Sequence, residues 1–300
     1  MKKVASGNID SNLSALGAPL ITAYLYRGRS HTMMVDSGPT IAGPLHLKDI
    51  GRILTDSKRL DYLLLTHSHW DHCGGMPYLK RALPGLKIGG SSAIPELFQK
   101  ESVVKTIQVY NDMAKGLFQT EVTEDVHFEY VSFDLMLKEG DAIDLGGVSC
   151  VVYQTPGHTR DSLSYYIPEQ GILFPGESIG VPIGNEGQAV QVEFLSSYDD
   201  YLASIQKLAY LKPKIICMAH EWVFTDDDAK EYLARSHRET IRYRELILRF
   251  LDRAHGNVEA TVAAMAKQEY DEKGAIYQPR FAYVANLTVQ VKHIAGITSK

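Results

Sequence analysis

The sequence predicts an α/β domain in which β-strands form a sandwich, helices cover the sheets and one sheet edge carries a metal site. Three observations lead there. Short apolar runs alternate with helical patterns along most of the chain. Four of those runs end in a sharp turn followed at once by a side chain of metal-ligand type. From residue 226 onward the pattern becomes purely helical.

Composition bounds the reading. Three hundred residues, 45% of them hydrophobic, make one large domain or two small ones with ample core. The net charge of −5 and a pI near 6.1 give no pull toward nucleic acid or an anionic membrane. No apolar run of about 18 residues predicts a spanning helix. The opening MKKVASGNIDSNL lacks the apolar core of a signal peptide. Cys73, Cys150 and Cys217 are odd in number and lack framework spacing, so a reducing cytoplasm is expected. Cys150 and Cys217 sit in strand-like runs as small core residues. Cys73 packs beside a proposed ligand.

In chain order, residues 18–26 and 31–35 read as strands around the turn Gly28-Arg29-Ser30. The second ends in Asp36, either a polar loop residue or a carboxylate backing a metal ligand. Leu45 to Thr55 reads as a short helix. Tyr62 to Leu65 is a buried strand that runs into His67, His69, Asp71 and His72. If the extended backbone persists, His67 and His69 point to one side, since strand side chains alternate. Both could then grip one ion with nitrogens about 2 Å from it. Asp71 and His72 lie past the turn and suit a second ion. Gly74-Gly75 leads out to a helix at Met76 to Leu83.

Leu86 to Gly89 is a further strand, and Ser91 to Phe118 has helical periodicity that could wall a pocket. Strand-like pieces follow at Val126 to Val131, Ala142 to Leu145 and Val148 to Thr155, the last two joined by Gly146-Gly147. Pro156-Gly157 then presents His158 at a strand end, much as His67 and His69 are presented. Leu163 to Ile167 and Ile172 to Phe174 form a hairpin that ends in Pro175-Gly176-Glu177-Ser178. Ser197 to Leu211 is an amphipathic helix with Ser197 at its cap. The strand Lys214 to Met218 delivers His220.

Asp228 to His255 is one long helical pattern closed by Gly256. Asn257 caps a second helix to about Tyr270, and Pro279 opens a third to Ile294. On the long helix Leu233, Ile241, Leu248 and Leu251 fall on one face, and Arg235, Arg238, Arg242, Arg249 and Arg253 on the other. A solvated outer face is the simplest use of that arginine stripe.

With HSHWDH, PGHT, PGES and the late His220 in this order, the chain resembles the metallo-β-lactamase superfamily over roughly residues 15–225. The resemblance implies an αββα sandwich with two metals at one sheet edge. It places His67, His69 and His158 on the first ion, and Asp71, His72 and His220 on the second. Glu177 stands where the superfamily usually has a bridging Asp. Its extra methylene adds about 1.5 Å, which implies a second ion held less tightly than the first.

DHCGGMPYL, GHTRDSLSYY, the length and the helical C-terminal extension are similar to the quinolone-signal response thioesterases of the glyoxalase II-like branch. That similarity implies a domain at 1–225 and an extension at 226–300 that covers the active-site edge. It also implies two divalent ions, zinc or iron with manganese allowed, and hydrolysis of a small acyl substrate, foremost a thioester. In such a site cations about 3.5–4 Å apart hold a hydroxide that attacks the carbonyl, and Asp71 orients it while ligating.

Lactone hydrolysis uses the same parts. An iron-dependent oxidoreductase is the next alternative, but flavin-linked di-iron relatives carry Glu where His69 stands. A phosphodiesterase needs a basic track, and a non-catalytic regulator needs only the ligand set. The expected partner is a small-molecule acyl substrate, without nucleic acid or membrane. A homodimer is compatible with the sequence.

Overall fold

The structure, a computed structural model, describes residues 2–4, 6–18, 21–117, 122–184, 186–276 and 278–296. Two seven-stranded sheets pack face to face. The first runs in chain order through Gly7–Asn8, Leu13–Ala18, Ile21–Arg27, Thr32–Val35, Tyr62–Leu64, Lys87–Ser91 and Leu135–Leu137. The second is ordered Lys2–Lys3, Trp222–Thr225, Ile215–Cys217, Ile172–Phe174, Leu163–Ile167, Ser149–Gln154 and Ala142–Asp144. A small hairpin, Val181–Ile183 with Ala189–Gln191, stands apart from both.

Alternation along the strands builds three apolar layers. Met33, Val35 and Leu64 face the second sheet, where they meet Val152, Tyr165, Phe174 and Val223. Met34, Leu63 and Leu65 face the other way, onto the helices Ala42–Leu54 and Met76–Ala82. The outer face of the second sheet offers Tyr166, Leu173, Ile216 and Phe224 to the helix Tyr198–Tyr210 and the C-terminal helices. The result is helix, sheet, sheet, helix. Cys150 and Cys217 lie in the layer between the sheets, Cys73 lies under the first sheet's helices, and all three thiols are free.

The C-terminal extension consists of Asp226–Arg253, Val258–Met265, a π-helical stretch Ala266–Glu272, and Arg280–Ile294. Among the described residues no helix is long and apolar enough to cross a membrane.

Four expectations need correction. Val126 to Val131 forms no strand, although Val126 and Phe128 are buried in alternation. The Phe128 ring packs edge-on against Phe98 of a helix, and Phe128 N donates to the Gln108 side chain instead of a neighbouring strand. The strand that does join the first sheet is Leu135–Leu137. Ser91 to Phe118 divides into Ala93–Phe98 and Glu101–Ala114, while Phe118 itself lies outside the described residues. Residues 18–26 straddle a hairpin, Leu13–Ala18 with Ile21–Arg27, whose connection at 19–20 is likewise outside them. On the long helix the buried face runs through Tyr232, Leu233, Ser236, Thr240, Ile247 and Leu251, and Leu248 is 40% exposed.

Candidate metal centre

The strand Tyr62–Leu64 ends three residues before His67, so period-2 extension does not place the two histidines. His69, with extended backbone, instead precedes the short helix Trp70–Cys73, which carries Asp71 and His72 on its single turn. His158 follows a turn that only glycine fits. Gly157 has φ +129°, and a Cβ there would lie 2.2 Å from Tyr201 Cα. Glu177 follows Gly176, also left-handed at φ +58°, where a Cβ would approach Thr66 Cβ to 2.9 Å. His220 sits in the turn between Ile215–Cys217 and Trp222–Thr225.

These turns bring all seven sequence-proposed residues together. His67, His69, His158 and Glu177 form one group, and Asp71, His72 and His220 another, with the ligand atoms of each group within 4.8 Å of one another. Glu177 reaches both. Its Oε2 lies 2.7 Å from His158 Nε2, 3.4 Å from His67 Nε2, 3.8 Å from His72 Nε2 and 3.9 Å from His69 Nδ1. Its Oε1 accepts from His220 Nε2 at 2.9 Å. The side chains of His67, His72 and His158 are 1% exposed, against 34% for His69 and 21% for His220, so the site opens past the latter two.

The chain matches the metallo-beta-lactamase superfamily over residues 16–220. It belongs to that superfamily. A metallo-beta-lactamase fold-containing protein of Sulfurisphaera tokodaii is 26% identical over 71% of this chain and 77% of its own length. A beta-lactamase-like protein 2 homolog of Drosophila melanogaster is 25% identical over 92% of this chain and 82% of its own. The hydroxyacylglutathione hydrolase of Fuscovulum blasticum, in keeping with the glyoxalase II-like branch, is 28% identical over 55% of this chain and 50% of its length. A metallo-beta-lactamase family structure from Thermus thermophilus superposes with a TM-score of 0.66 over 96% of this chain and 95% of that one, at 18% identity, and so shares the fold.

The ligand set of this superfamily member fits divalent cations on its own geometry. His67 Nε2 and His72 Nε2 are fully buried, point into the cluster and have no hydrogen-bond partner. Orphaned imidazole nitrogens of this kind are costly unless a cation uses them. Their opposite nitrogens are tied. His72 Nδ1 donates to Asp36 Oδ2 at 2.8 Å. Thr66 Oγ1 donates to Asp36 and receives His67 Nδ1 at 3.0 Å. His158 Nδ1 donates to the Glu193 carbonyl at 2.6 Å. Such ties fix the tautomer that leaves Nε2 free for a metal. Asp36 is therefore a backing carboxylate, held at φ 58° with its Oδ1 also accepting from Thr66 N at 2.8 Å.

Charge in the cluster is tightly interlocked. Burial opposes the charge of Glu177, yet His158 beside it, together with the hydrogen bonds from His158 and His220, holds its carboxyl well below the usual range. Burial likewise opposes a proton on His158, but Glu177 outweighs it and pushes the imidazole up to about 9. Burial and then His72 hold His67 well below its ordinary value. A cation must displace the proton of His158 to bind, so metal uptake releases protons.

Thr66, Glu193, Tyr24 and Tyr165 were not singled out from sequence. The two tyrosines tie the sheets together behind the ligands. Tyr165 OH donates to Leu65 O and Tyr24 OH to Met218 O, each at 2.6 Å. Both sit in apolar strand runs, where nothing in the pattern separates them from ordinary core residues.

Proposed function

We propose that the protein is a dinuclear, metal-dependent hydrolase of a small acyl substrate, foremost a thioester, and that it works in a reducing cytoplasm. The observation that carries this reading is Glu177, whose two carboxylate oxygens face different ligand groups. A single carboxylate that touches both groups suits a pair of ions better than two independent sites. His67, His69 and His158 would hold one ion, and Asp71, His72 and His220 the other, with Glu177 shared between them. Imidazole with carboxylate suits zinc or iron, with manganese allowed.

When bound, such ions supply Lewis-acid chemistry, activating water at neutral pH and polarising an acyl carbonyl. The chain's own residues do the rest. Asp71, half-buried on the first turn of its short helix, is placed to hold and orient the proton of the attacking water. Asp36, Thr66 and the Glu193 carbonyl keep three imidazoles aimed inward throughout the cycle. The exposed sides of His69 and His220 mark where the acyl carbonyl enters.

The C-terminal extension serves, in this reading, as a roof over that edge. Phe281, at the start of the helix Arg280–Ile294, stacks on Tyr110 with centroids 6.1 Å apart and planes 8° apart. Tyr110 stacks in turn on Trp70, next to His69, at 6.4 Å. This aromatic column links the extension to the insertion helix Glu101–Ala114 beside the metal ligands and offers an apolar wall for an acyl group.

The test begins with protein purified without added metal. Metal content is measured, zinc, iron or manganese is titrated back, and thioesters, lactones and phosphodiesters are assayed. The expected outcome is about two ions per chain and turnover fastest on thioesters. Saturation at one ion removes the dinuclear reading. Turnover confined to phosphodiesters removes the acyl substrate.

A further inference from the structure

Segment Val192–Ser197 lies in a position that demands support. It has no strand or helix of its own, so its backbone polar groups must find partners elsewhere. It also carries the carbonyl that orients His158. On one side it grips the His158 turn, with Leu195 N, Ser196 N and Ser197 N all donating to Gly157 O at 3.0–3.3 Å. On the other it meets the C-terminal helix Arg280–Ile294.

The contacts on that second side fall on one helix face. Asn286, Gln290 and His293 have spacing i, i+4 and i+7, which aligns them along a single stripe. Asn286 Nδ2 donates to Glu193 Oε2 at 3.0 Å. Gln290 Nε2 donates to Val192 O at 2.7 Å. His293 Nε2 accepts from Tyr198 N at 3.0 Å, just past the segment. Gln290 is only 2% exposed and lies among Tyr283, Leu287 and Val291 of the apolar core. A glutamine there is tolerated only because its amide is used. Glu193 is equally buried, and its other oxygen accepts from Gln191.

We propose that the helix Arg280–Ile294 is a positioning element of the metal centre, acting through Asn286 and Gln290 on the Val192–Ser197 segment and thence on His158. The inference rests on the reading of His158 as a metal ligand. The helix contributes no residue to either ligand group. It fixes the carbonyl to which His158 Nδ1 donates, so that Nε2 is held in the direction a cation requires. The extension is thereby coupled to metal affinity as well as to access, and anything that shifts this helix shifts the affinity of the site.

The test compares Asn286→Ala, Gln290→Leu, His158→Ala and Val262→Ala with the wild-type full chain. Zinc affinity is read by competition with a chromophoric chelator, well below each variant's melting temperature. Val262 shares the core with this helix but is not among the residues that hold the segment. Gln290→Leu leaves Val192 O without its buried donor, so it lowers the melting temperature, as Val262→Ala does through a cavity. The expected result is zinc binding about tenfold weaker in Asn286→Ala and in Gln290→Leu. In Val262→Ala the melting temperature falls and zinc affinity stays at the wild-type value. Weaker zinc in Gln290→Leu, beside wild-type zinc affinity in a Val262→Ala protein that is also destabilised, is an outcome that mere structural support does not produce.

If His158→Ala weakens zinc while Gln290→Leu does not, the positioning role is wrong and the metal-site reading stands. If His158→Ala leaves zinc affinity unchanged, the metal-site reading fails, and this inference with it. Should Asn286→Ala fail to fold, Gln290→Leu alone decides.

Discussion

His72 and His158 both turn Nε2 into the site and both have Nδ1 tied behind, by groups 36 and 35 residues away, but what holds each of those groups lies at very different distances along the chain. The tie to His72 is Asp36, 36 residues earlier and just past the end of the strand Thr32–Val35. Parallel pairing of Thr32–Val35 with Tyr62–Leu64 brings the two strand ends together, and Ser37 N donating to His72 O closes the loop. The tie to His158 is a backbone carbonyl whose own residue is held by Asn286, 93 positions later. Glu177 sits on the same long-range side, since Ser236 of the helix Asp226–Arg253 donates to Ile179 O just beyond it at 2.7 Å. One half of the centre is thus braced within its own strand–loop–strand unit, and the other leans on the C-terminal extension. Damage to the extension should therefore reach His158 and Glu177 first and His67 and His72 last.

The largest effect that would break this picture lies where the halves meet. Glu177→Ala should remove the second ion and at least about a hundredfold of the hydrolysis, while Glu177→Asp should keep a metal site. In the wild type the second ion should bind more weakly than the first, because the longer side chain loses an extra torsional freedom on ligation. Calorimetric zinc titration reads this. Two equally tight ions in Glu177→Ala would show the carboxylate to be a bystander.

Asp36→Ala tests the short-range brace. It strips His72 Nδ1 and Thr66 of their acceptor in a fully buried setting. Affinity at the Asp71, His72 and His220 group should fall about 10–100-fold, with about 3 kcal/mol of stability lost. The ion on His67, His69 and His158 should be affected less. Equal loss at both ions would mean that the two braces are one.

His46, on the helix behind the Asp36 turn, supplies an acid sensitivity confined to the same half. It is fully buried, neither ring nitrogen has a hydrogen-bond partner, and burial lowers its pKa from 6.5 to about 4. The unfolded chain takes up the proton first, so stability is lost as pH falls from about 6.5 and levels off near 4. The loss amounts to about 3 kcal/mol. In His46→Leu, denaturant melts across that window should show a correspondingly shallower fall. Parallel profiles for the two proteins would clear His46 of the effect.

The smallest effect concerns the aromatic column. Phe281→Ala, at a ring already 39% exposed, should leave metal content unchanged and raise KM for apolar acyl substrates a few-fold. That matches about 0.5–1.5 kcal/mol for one aromatic pair. A change in kcat with constant KM would place the column outside the acyl wall.

Much of this protein follows from its sequence alone. Alternation and turn chemistry are local, so the strands Leu163–Ile167 and Ile172–Phe174 carry their own boundaries, and the helix capped by Ser197 starts one residue past its cap. A ligand-type residue directly after a glycine turn, as at Gly157-His158 and Gly176-Glu177, is legible for the same reason. Tertiary structure decided the rest. Val126 and Phe128 show strand alternation, yet Phe128 packs on Phe98 of a helix, because period 2 records which side chains are buried and not what buries them. Which ring nitrogen each histidine presents depends on what lies behind it: for His67 that is its neighbour Thr66, and for His158 a carbonyl held by a helix far along the chain. Asp36 as a brace, Tyr24 and Tyr165 as ties between sheets, and Gln290 as a buried donor all depend on hydrogen bonds across the packed layers. No local pattern encodes such bonds, because their geometry exists only once both sheets and the last helix are in place.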